Sequence, residues 1–206
     1  MADVAAGRRR WLAALATAPL ARAGAATATL AAALAAALSA TRAHAEGVSD
    51  DALRRATGPD WAPWRGGATP ALDLPALDGT AHTLAQARGQ VVLLSFWASW
   101  CEPCRDEFPE MAALVRAQAG RGLRLWAVNH GESRPRIDAF LARFPLPDTV
   151  LHDRNGTAAR DWRVLGMPAN YLVDRKGRLR YWHLGALDWR RPAVVAAVTS
   201  LLDEPA

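Results

Sequence analysis

Cysteine is scarce in this chain: it has two, Cys101 and Cys104. That number excludes a scaffold stapled by several disulfides. It also leaves a tetrahedral zinc site short of ligands, because no second cysteine pair or histidine cluster accompanies the first. Lysine is scarcer still, with Lys176 alone among 25 basic residues, a bias that carries no functional weight. A surplus of positive charge is missing from most of the chain. The formal net charge is +5, but Arg8, Arg9, Arg10, Arg22 and Arg42 precede Glu46 against the single acid Asp3. From Glu46 onward basic and acidic residues nearly balance, so nucleic-acid binding has no compositional support. There is no internal repeat. What remains is ordinary globular composition, 51% hydrophobic and 22% charged, in a length that suits one domain plus an export segment.

Residues 1–45 read as that segment. Gly7-Arg8-Arg9-Arg10-Trp11-Leu12 opens a run of Ala and Leu reaching Ala40. Ala43-His44-Ala45 then places small residues at both positions a signal peptidase needs, just before Glu46. The arginines stay on the cytoplasmic side while the apolar run enters the translocation machinery. Paired arginines, a spacer, a bulky apolar residue and Leu resemble a twin-arginine signal, the alternative being a plain signal whose arginines cluster. Ala21-Arg22-Ala23 is a second candidate cleavage site. Uncleaved, residues 23–40 come close to the ~20 residues a spanning helix needs and would act as an anchor. Alanine barely favours the bilayer, so cleavage after Ala45 is expected. The mature chain would then lie in the periplasm or another extracytoplasmic space, with no lasting membrane association.

Residues 46–70 are rich in Gly, Pro and Trp without a clear period, and read as a linker or loosely packed arm. Residues 71–206 read as the folded domain. Residues 72–77 followed by Asp78-Gly79 suggest a short strand and turn. Residues 91–97 form a continuous apolar run with β-branched and aromatic members, as in a strand buried on both faces. Pro103 sits where a first helical turn tolerates proline, and Phe108, Met111, Ala112, Leu114 and Val115 recur at helical spacing. A buried strand at 123–128, a helix at 136–143, a strand end at 150–153 and a helical stretch at 157–162 follow. Residues 170–173 and 179–183 flank Asp174-Arg175-Lys176-Gly177 as a hairpin, and 192–202 close with a helix. This order implies an α/β fold, a mixed sheet covered by helices on both faces.

Cys101 and Cys104 stand three apart at a strand-to-helix junction. A purely structural disulfide there would close a loop of about four residues and contribute roughly 2 kcal/mol at best in the loop-entropy model. Buried inert thiols would not need the flanking Trp100, Glu102 and Pro103. A redox dithiol suits the position better. Unpaired N–H groups and the helix dipole at a helix start favour a thiolate at Cys101, lowering its pKa below the usual ~8.5. That thiolate would attack a disulfide, and Cys104, one turn on and facing inward, would resolve the mixed disulfide.

Residues 89–109, containing Trp97-Ala98-Ser99-Trp100-Cys101-Glu102-Pro103-Cys104, resemble the active-site block of TlpA/ResA-like extracytoplasmic thioredoxins. Residues 166–177, starting Gly166-Met167-Pro168-Ala169-Asn170, are similar to that family's cis-proline block, and 77–84 to its added N-terminal β-hairpin. The resemblance spans about residues 71–203 and implies a thioredoxin-like fold and thiol–disulfide oxidoreductase activity without a bound cofactor or metal. It implies a cis bond before Pro168, which would pack beside the dithiol, with Met167 presenting backbone groups to a bound peptide. Plain thioredoxin has a buried aspartate six residues before its first cysteine; here Ser95 stands there. The ResA-like branch has a glutamate three residues after the second cysteine, and Glu107 occupies that place. Glu107 is therefore the expected proton acceptor, or else a solvated first-turn acid favouring the helix N-terminus.

The candidate catalytic residues are thus Cys101, Cys104 and Glu107. Trp100, Glu102, Pro103, Met167 and Pro168 are the candidate substrate contacts. Trp97 and Trp100 are expected at the rim of the dithiol, and Trp126 and Trp162 in the core. His130 falls at the same sheet end as a surface loop histidine, and no partner is evident for His152 or His183. The expected partners are a cysteine-containing protein substrate and an upstream membrane thiol reductant. Reduction of disulfides, as in cytochrome c or copper-centre maturation, is the resulting expectation. A disulfide oxidant and a Cu(I) carrier are the alternatives.

Overall fold

A computed structural model describes residues 48–206. The export segment assigned to residues 1–45 lies outside the described residues. Among those described, no helix is long and apolar enough to cross a membrane.

The fold is built around β4 (Val91–Trp97), every residue of which is buried. It pairs in parallel with β5 (Leu123–His130) and antiparallel with β7 (Ala169–Val173). β6 (Thr149–Asp153) extends the parallel edge, and β8 (Leu179–Leu184) extends the antiparallel one. With β1 (Ala62–Pro63) the sheet runs β1-β8-β7-β4-β5-β6. Alternation along β4 feeds two cores. Val91, Leu93 and Trp97 face one core with α2 (Glu102–Gln118), α3 (Arg134–Leu141) and α5 (Pro192–Asp203). Val92, Leu94 and Phe96 face the other, which contains Ala158 and Ala159 of α4 (Thr157–Asp161) with Trp162 and Tyr171. In α5, Val194, Val198, Leu201 and Leu202 are buried at helical spacing, which fixes the face it lays on the sheet. The α/β mixed sheet with helices on both faces matches the expected fold class.

A separate hairpin joins β2 (Asp73–Pro75) to β3 (Ala81–Thr83). Its turn needs the left-handed conformation that Gly79 supplies at φ 88°. Asp78 accepts the Thr80 N–H at 2.8 Å, which holds its carboxyl below the usual range. Ala76 bridges to Leu151 and so ties this hairpin to β6.

Residues 48–70, expected as a linker or loosely packed arm, form an arm that packs closely on the domain. They contain α1 (Asp50–Ala56), capped by Ser49 accepting the Ala52 N–H at 3.2 Å, and β1, which pairs Ala62 with Trp182 of β8. Trp61 and Ala62 are buried, one in each core. A two-residue strand is too short to show a period, so pairing to an existing sheet edge, not local pattern, creates this element.

Candidate active site

β4 delivers the chain to residues 98–101, where it turns into α2. A carboxylate anchors this turn. Glu132, just past β5, accepts the Ser99 N–H at 2.6 Å and the Ser99 hydroxyl at 2.5 Å. It also accepts the Asn129 amide at 2.8 Å and lies 3.1 Å from the Arg136 guanidinium. Burial opposes ionisation of Glu132, but these donors outweigh it and leave its pKa below the ordinary value.

Cys101 is the N-cap of α2, and its Sγ accepts the Cys104 N–H at 3.3 Å. The two cysteines form a disulfide with Cα atoms 5.3 Å apart. Cys101 keeps 4% of its surface exposed and Cys104 none. Cys101 is thus the outer sulfur and Cys104 the inner one, with little of either open to solvent in the disulfide form. Glu102 and Pro103 are exposed in the first helical turn. Trp100 is 62% exposed and stands out at the mouth of the site. Trp97, expected beside it at the rim, is instead fully buried beneath the dithiol, with its ring 5.5 Å from Phe108 and 4.9 Å from Phe140. It is the last residue of a strand buried on both faces, so its alternation directs it into the core.

The Met167–Pro168 bond is cis. Pro168 is buried and leads directly into β7, where Ala169 pairs with Phe96 near the end of β4 that feeds Cys101. Met167 packs against the same core cluster as the two cysteines. The Pro168 carbonyl accepts the Gly185 N–H at 2.8 Å, which ties this turn to the end of β8.

Glu107 lies one turn beyond Cys104 on α2, a spacing that puts both side chains on one face of the helix. It is 5% exposed, not the solvated first-turn acid that was the alternative. Its Oε1 accepts the Asn170 amide at 3.3 Å, and its Oε2 accepts the Leu187 N–H and the Trp189 indole N–H, both at 3.2 Å. Burial pushes its pKa up to about 7, and the three neutral donors only partly oppose that rise. Ser95, where thioredoxin has its aspartate, is buried on β4 opposite Asn170 in register. The acid near the dithiol thus comes from the helix and not from the strand.

A groove of about 430 Å³ runs along α2 beside the dithiol, lined by Glu102, Pro103, Asp106, Glu110, Leu187 and Asp188. Arg105 pairs with both Glu102 and Asp106 at 3.2 Å. His130 is not brought to the dithiol. Its ring sits over Gly156, in a separate groove with Arg154 and Arg160, 3.9 Å from Asp153. His152 contacts the Glu132 carbonyl at 2.8 Å, and His183 is buried between the carbonyls of Asp60 and Ala186. Trp126 and Trp162 are core residues as expected. The sequence reading does not reach Glu132, Asn170 or Trp189. Asn170 stands two residues after Pro168, and Glu132 has local partners in Asn129 and Arg136, but its anchoring of Ser99 spans 33 residues and the bond from Trp189 to Glu107 spans 82, so neither role has a local signal.

The comparisons with known proteins agree with this geometry. Residues 66–182 match the AhpC/TSA family. Thioredoxin-like protein YneN of Bacillus subtilis is 36% identical over 121 residues, which make up 57% of this chain and 70% of that protein. Thiol-disulfide oxidoreductase ResA of Geobacillus thermodenitrificans is 33% identical over 115 residues, 56% of this chain and 66% of that one. A crystal structure of a putative thiol:disulfide interchange protein DsbE from Chlorobium tepidum superposes with a TM-score of 0.57 at 36% identity, covering 66% of this chain and 92% of that one. The chain belongs to the AhpC/TSA family and is a thiol–disulfide oxidoreductase of thioredoxin-like fold.

Proposed function

We propose that this protein reduces protein disulfides outside the cytoplasm, in work such as cytochrome c or copper-centre maturation. The observation that carries the proposal is the Cys101–Cys104 disulfide at the start of α2, with a buried carboxylate of raised pKa one turn beyond it. In the reduced protein, the Cys101 thiolate is favoured by the Cys104 N–H and the helix N-terminus. It attacks one sulfur of the substrate disulfide and displaces the other as a thiolate, which takes a proton from water. Glu107 then accepts the Cys104 thiol proton, directly or through one water. The Cys104 thiolate attacks Cys101 Sγ, releasing the second substrate thiolate, to which Glu107 returns the proton. Two electrons pass to the substrate, and the Cys101–Cys104 disulfide is the product. An upstream membrane thiol reductant would restore the dithiol. A pKa of about 7 suits this exchange, because the acid and base forms of Glu107 are both populated at neutral pH.

Trp100 at the mouth, Glu102 and Pro103 on the helix start, and Met167 and Pro168 on the cis turn are the proposed substrate contacts. Location outside the cytoplasm is supported by the sequence of residues 1–45, whose positive residues, apolar run and Ala43-His44-Ala45 read as an export signal. Local charge supports this direction of transfer. Glu102 and Asp106 outnumber Arg105 beside the dithiol, and Glu107 is partly ionised at neutral pH, so the thiolate would be only moderately stabilised, as befits a reductant. Trapping tests the division of labour. Cys104→Ser should accumulate a mixed disulfide with substrate, and Cys101→Ser should accumulate none. Trapping by Cys101→Ser alone would reverse the two roles.

A further inference from the structure

The three donors to Glu107 come from two places. Asn170 belongs to β7 and is held by the sheet, whereas Leu187 and Trp189 belong to residues 185–191, an irregular loop between β8 and α5. What steadies this loop is the segment that precedes β1. Trp61 is buried and packs edge-on against Trp189, with ring centroids 5.8 Å apart, and against His183 at 6.4 Å. The Asp60 carboxylate accepts the Arg191 Nε–H at 2.6 Å at the far end of the loop. The Asp60 carbonyl lies 3.4 Å from His183 Nδ1, and His183 Nε2 lies 3.3 Å from the Ala186 carbonyl near the start of the loop. Residues 60–61 therefore grip the loop at its middle and its end, while the neutral His183 ring, with one N–H to donate, packs between Asp60 and the loop's start.

We propose that Trp61 and Trp189 are positioning residues for Glu107: Trp61 fixes the Trp189 indole so that its N–H, with that of Leu187, points at the carboxylate serving the dithiol. This inference rests on the reading of Glu107 as proton acceptor. The edge-on geometry matters because it leaves the indole body wedged against Trp61 while the N–H end stays free to donate. Among the described residues no cation pairs with Glu107. On its own helix it has Cys104 one turn before it, with Asp106 and Glu110 beside it in the acidic groove. From the loop it faces Asp188, which with Glu110 is paired to Arg190, and from β8 it has His183 across from Asn170. Burial holds the His183 pKa below its ordinary value, and the Asp60–Arg191 pair lies at the exposed end. Neutral donors are thus what favours the charged form of Glu107, and weakening them leaves burial and neighbouring acids to keep it protonated.

The test is a carboxyl-carbon NMR titration of the oxidised full chain, with the Glu107 signal assigned by its loss in Glu107→Gln. Trp189→Phe keeps an aromatic body and removes the N–H. The Glu107 midpoint should rise by about one pH unit, a tenfold change in its ionisation. Trp61→Ala should raise it by a smaller amount, and Trp61→Phe should restore most of the difference. If Trp61→Ala does not fold, Trp189→Phe decides. An unmoved Glu107 midpoint in folded Trp189→Phe overturns the proposal, and so does a folded Trp61→Ala whose midpoint stays put. The pH profile of thiol exchange, recorded on the same variants, separates the two readings. A Glu107 midpoint that moves while the exchange profile stays fixed upholds the positioning role and rejects Glu107 as proton acceptor.

Discussion

Two buried glutamates flank the dithiol, and the contrast between them shows how one fold sets opposite charge preferences a few residues apart. Glu132 lies under the turn that precedes Cys101, where it meets the N–H and hydroxyl of Ser99, the Asn129 amide and the Arg136 guanidinium. Glu107 lies behind Cys104 and has three neutral donors with no cation among the described residues. Both are nearly inaccessible, yet the pKa of Glu132 is lowered and that of Glu107 is raised to about 7. Each carboxylate has three neutral donors. Those of Glu132 stand at 2.5–2.8 Å and a guanidinium joins them, so they outweigh burial and make it a fixed charge that anchors backbone. Those of Glu107 stand at 3.2–3.3 Å with no cation among the described residues, so burial prevails and makes it a group able to exchange a proton.

The largest expected effect comes from removing the anchor. Glu132→Ala leaves the Ser99 N–H and the Asn129 amide without their acceptor and should destabilise the protein by about 4 kcal/mol at pH 7. Because the folded-state pKa is lowered, this contribution is present above the ordinary carboxylate value and is lost as pH falls through the folded value. Denaturant unfolding should therefore show the gap between wild type and variant shrinking toward pH 3. An equal gap at pH 3 and pH 7 would break the contrast.

Glu107→Gln should act in the opposite sense. The folded-state pKa is raised, so its contribution to stability is greatest below the unfolded value and is lost as pH rises through about 7. At 1.36 kcal/mol per unit, the wild type loses about 3 kcal/mol of stability between pH 4 and pH 9 through this group. The variant should lose none of it, so its unfolding free energy should overtake that of wild type on the alkaline side. The Asn170 Oδ1 has no partner, so rotation of that amide can meet the new Gln N–H and keep the pocket satisfied. Exchange at neutral pH should also slow in Glu107→Gln. A difference curve that is flat from pH 5 to pH 9 would place Glu107 with Glu132.

Arg105→Ala should give the smallest effect. Its pairs with Glu102 and Asp106 are exposed and screened by solvent, so the denaturant midpoint should barely move. Removing this cation should make the dithiol slightly more reducing, by less than about 30 mV. A larger shift would mean that Arg105 outweighs the surrounding acids.

Much of this site was legible before the fold was seen. Cys101, Pro103 and Cys104 follow an apolar run, and that junction alone places a thiol at a helix start. The position of Glu107 came with a family resemblance, but its burial did not, because that depends on residues 187 and 189 folding back over α2. The arm misled for a related reason. Trp61 sits among Gly, Pro and charged residues with no period, and it is buried only because β8 offers an unpaired edge and Trp189 a facing ring. Trp97 was placed at the rim by its nearness to Cys101, whereas strand alternation sends it inward. Contacts within one element are written in its period; contacts made across tens of residues have no local signature.

The most direct test of the account is the equilibrium reduction potential of the Cys101–Cys104 pair, measured on the oxidised protein against glutathione. Two acids paired to one guanidinium, with Glu107 partly ionised behind them, leave the N-terminal thiolate only moderately stabilised and predict a value nearer thioredoxin's about −270 mV than the about −120 mV of the oxidant DsbA. That separation of about 150 mV corresponds to about 7 kcal/mol for a two-electron couple, far outside experimental error. A potential near −270 mV is the predicted result, and one above about −150 mV would contradict a reductant and make the protein an oxidant.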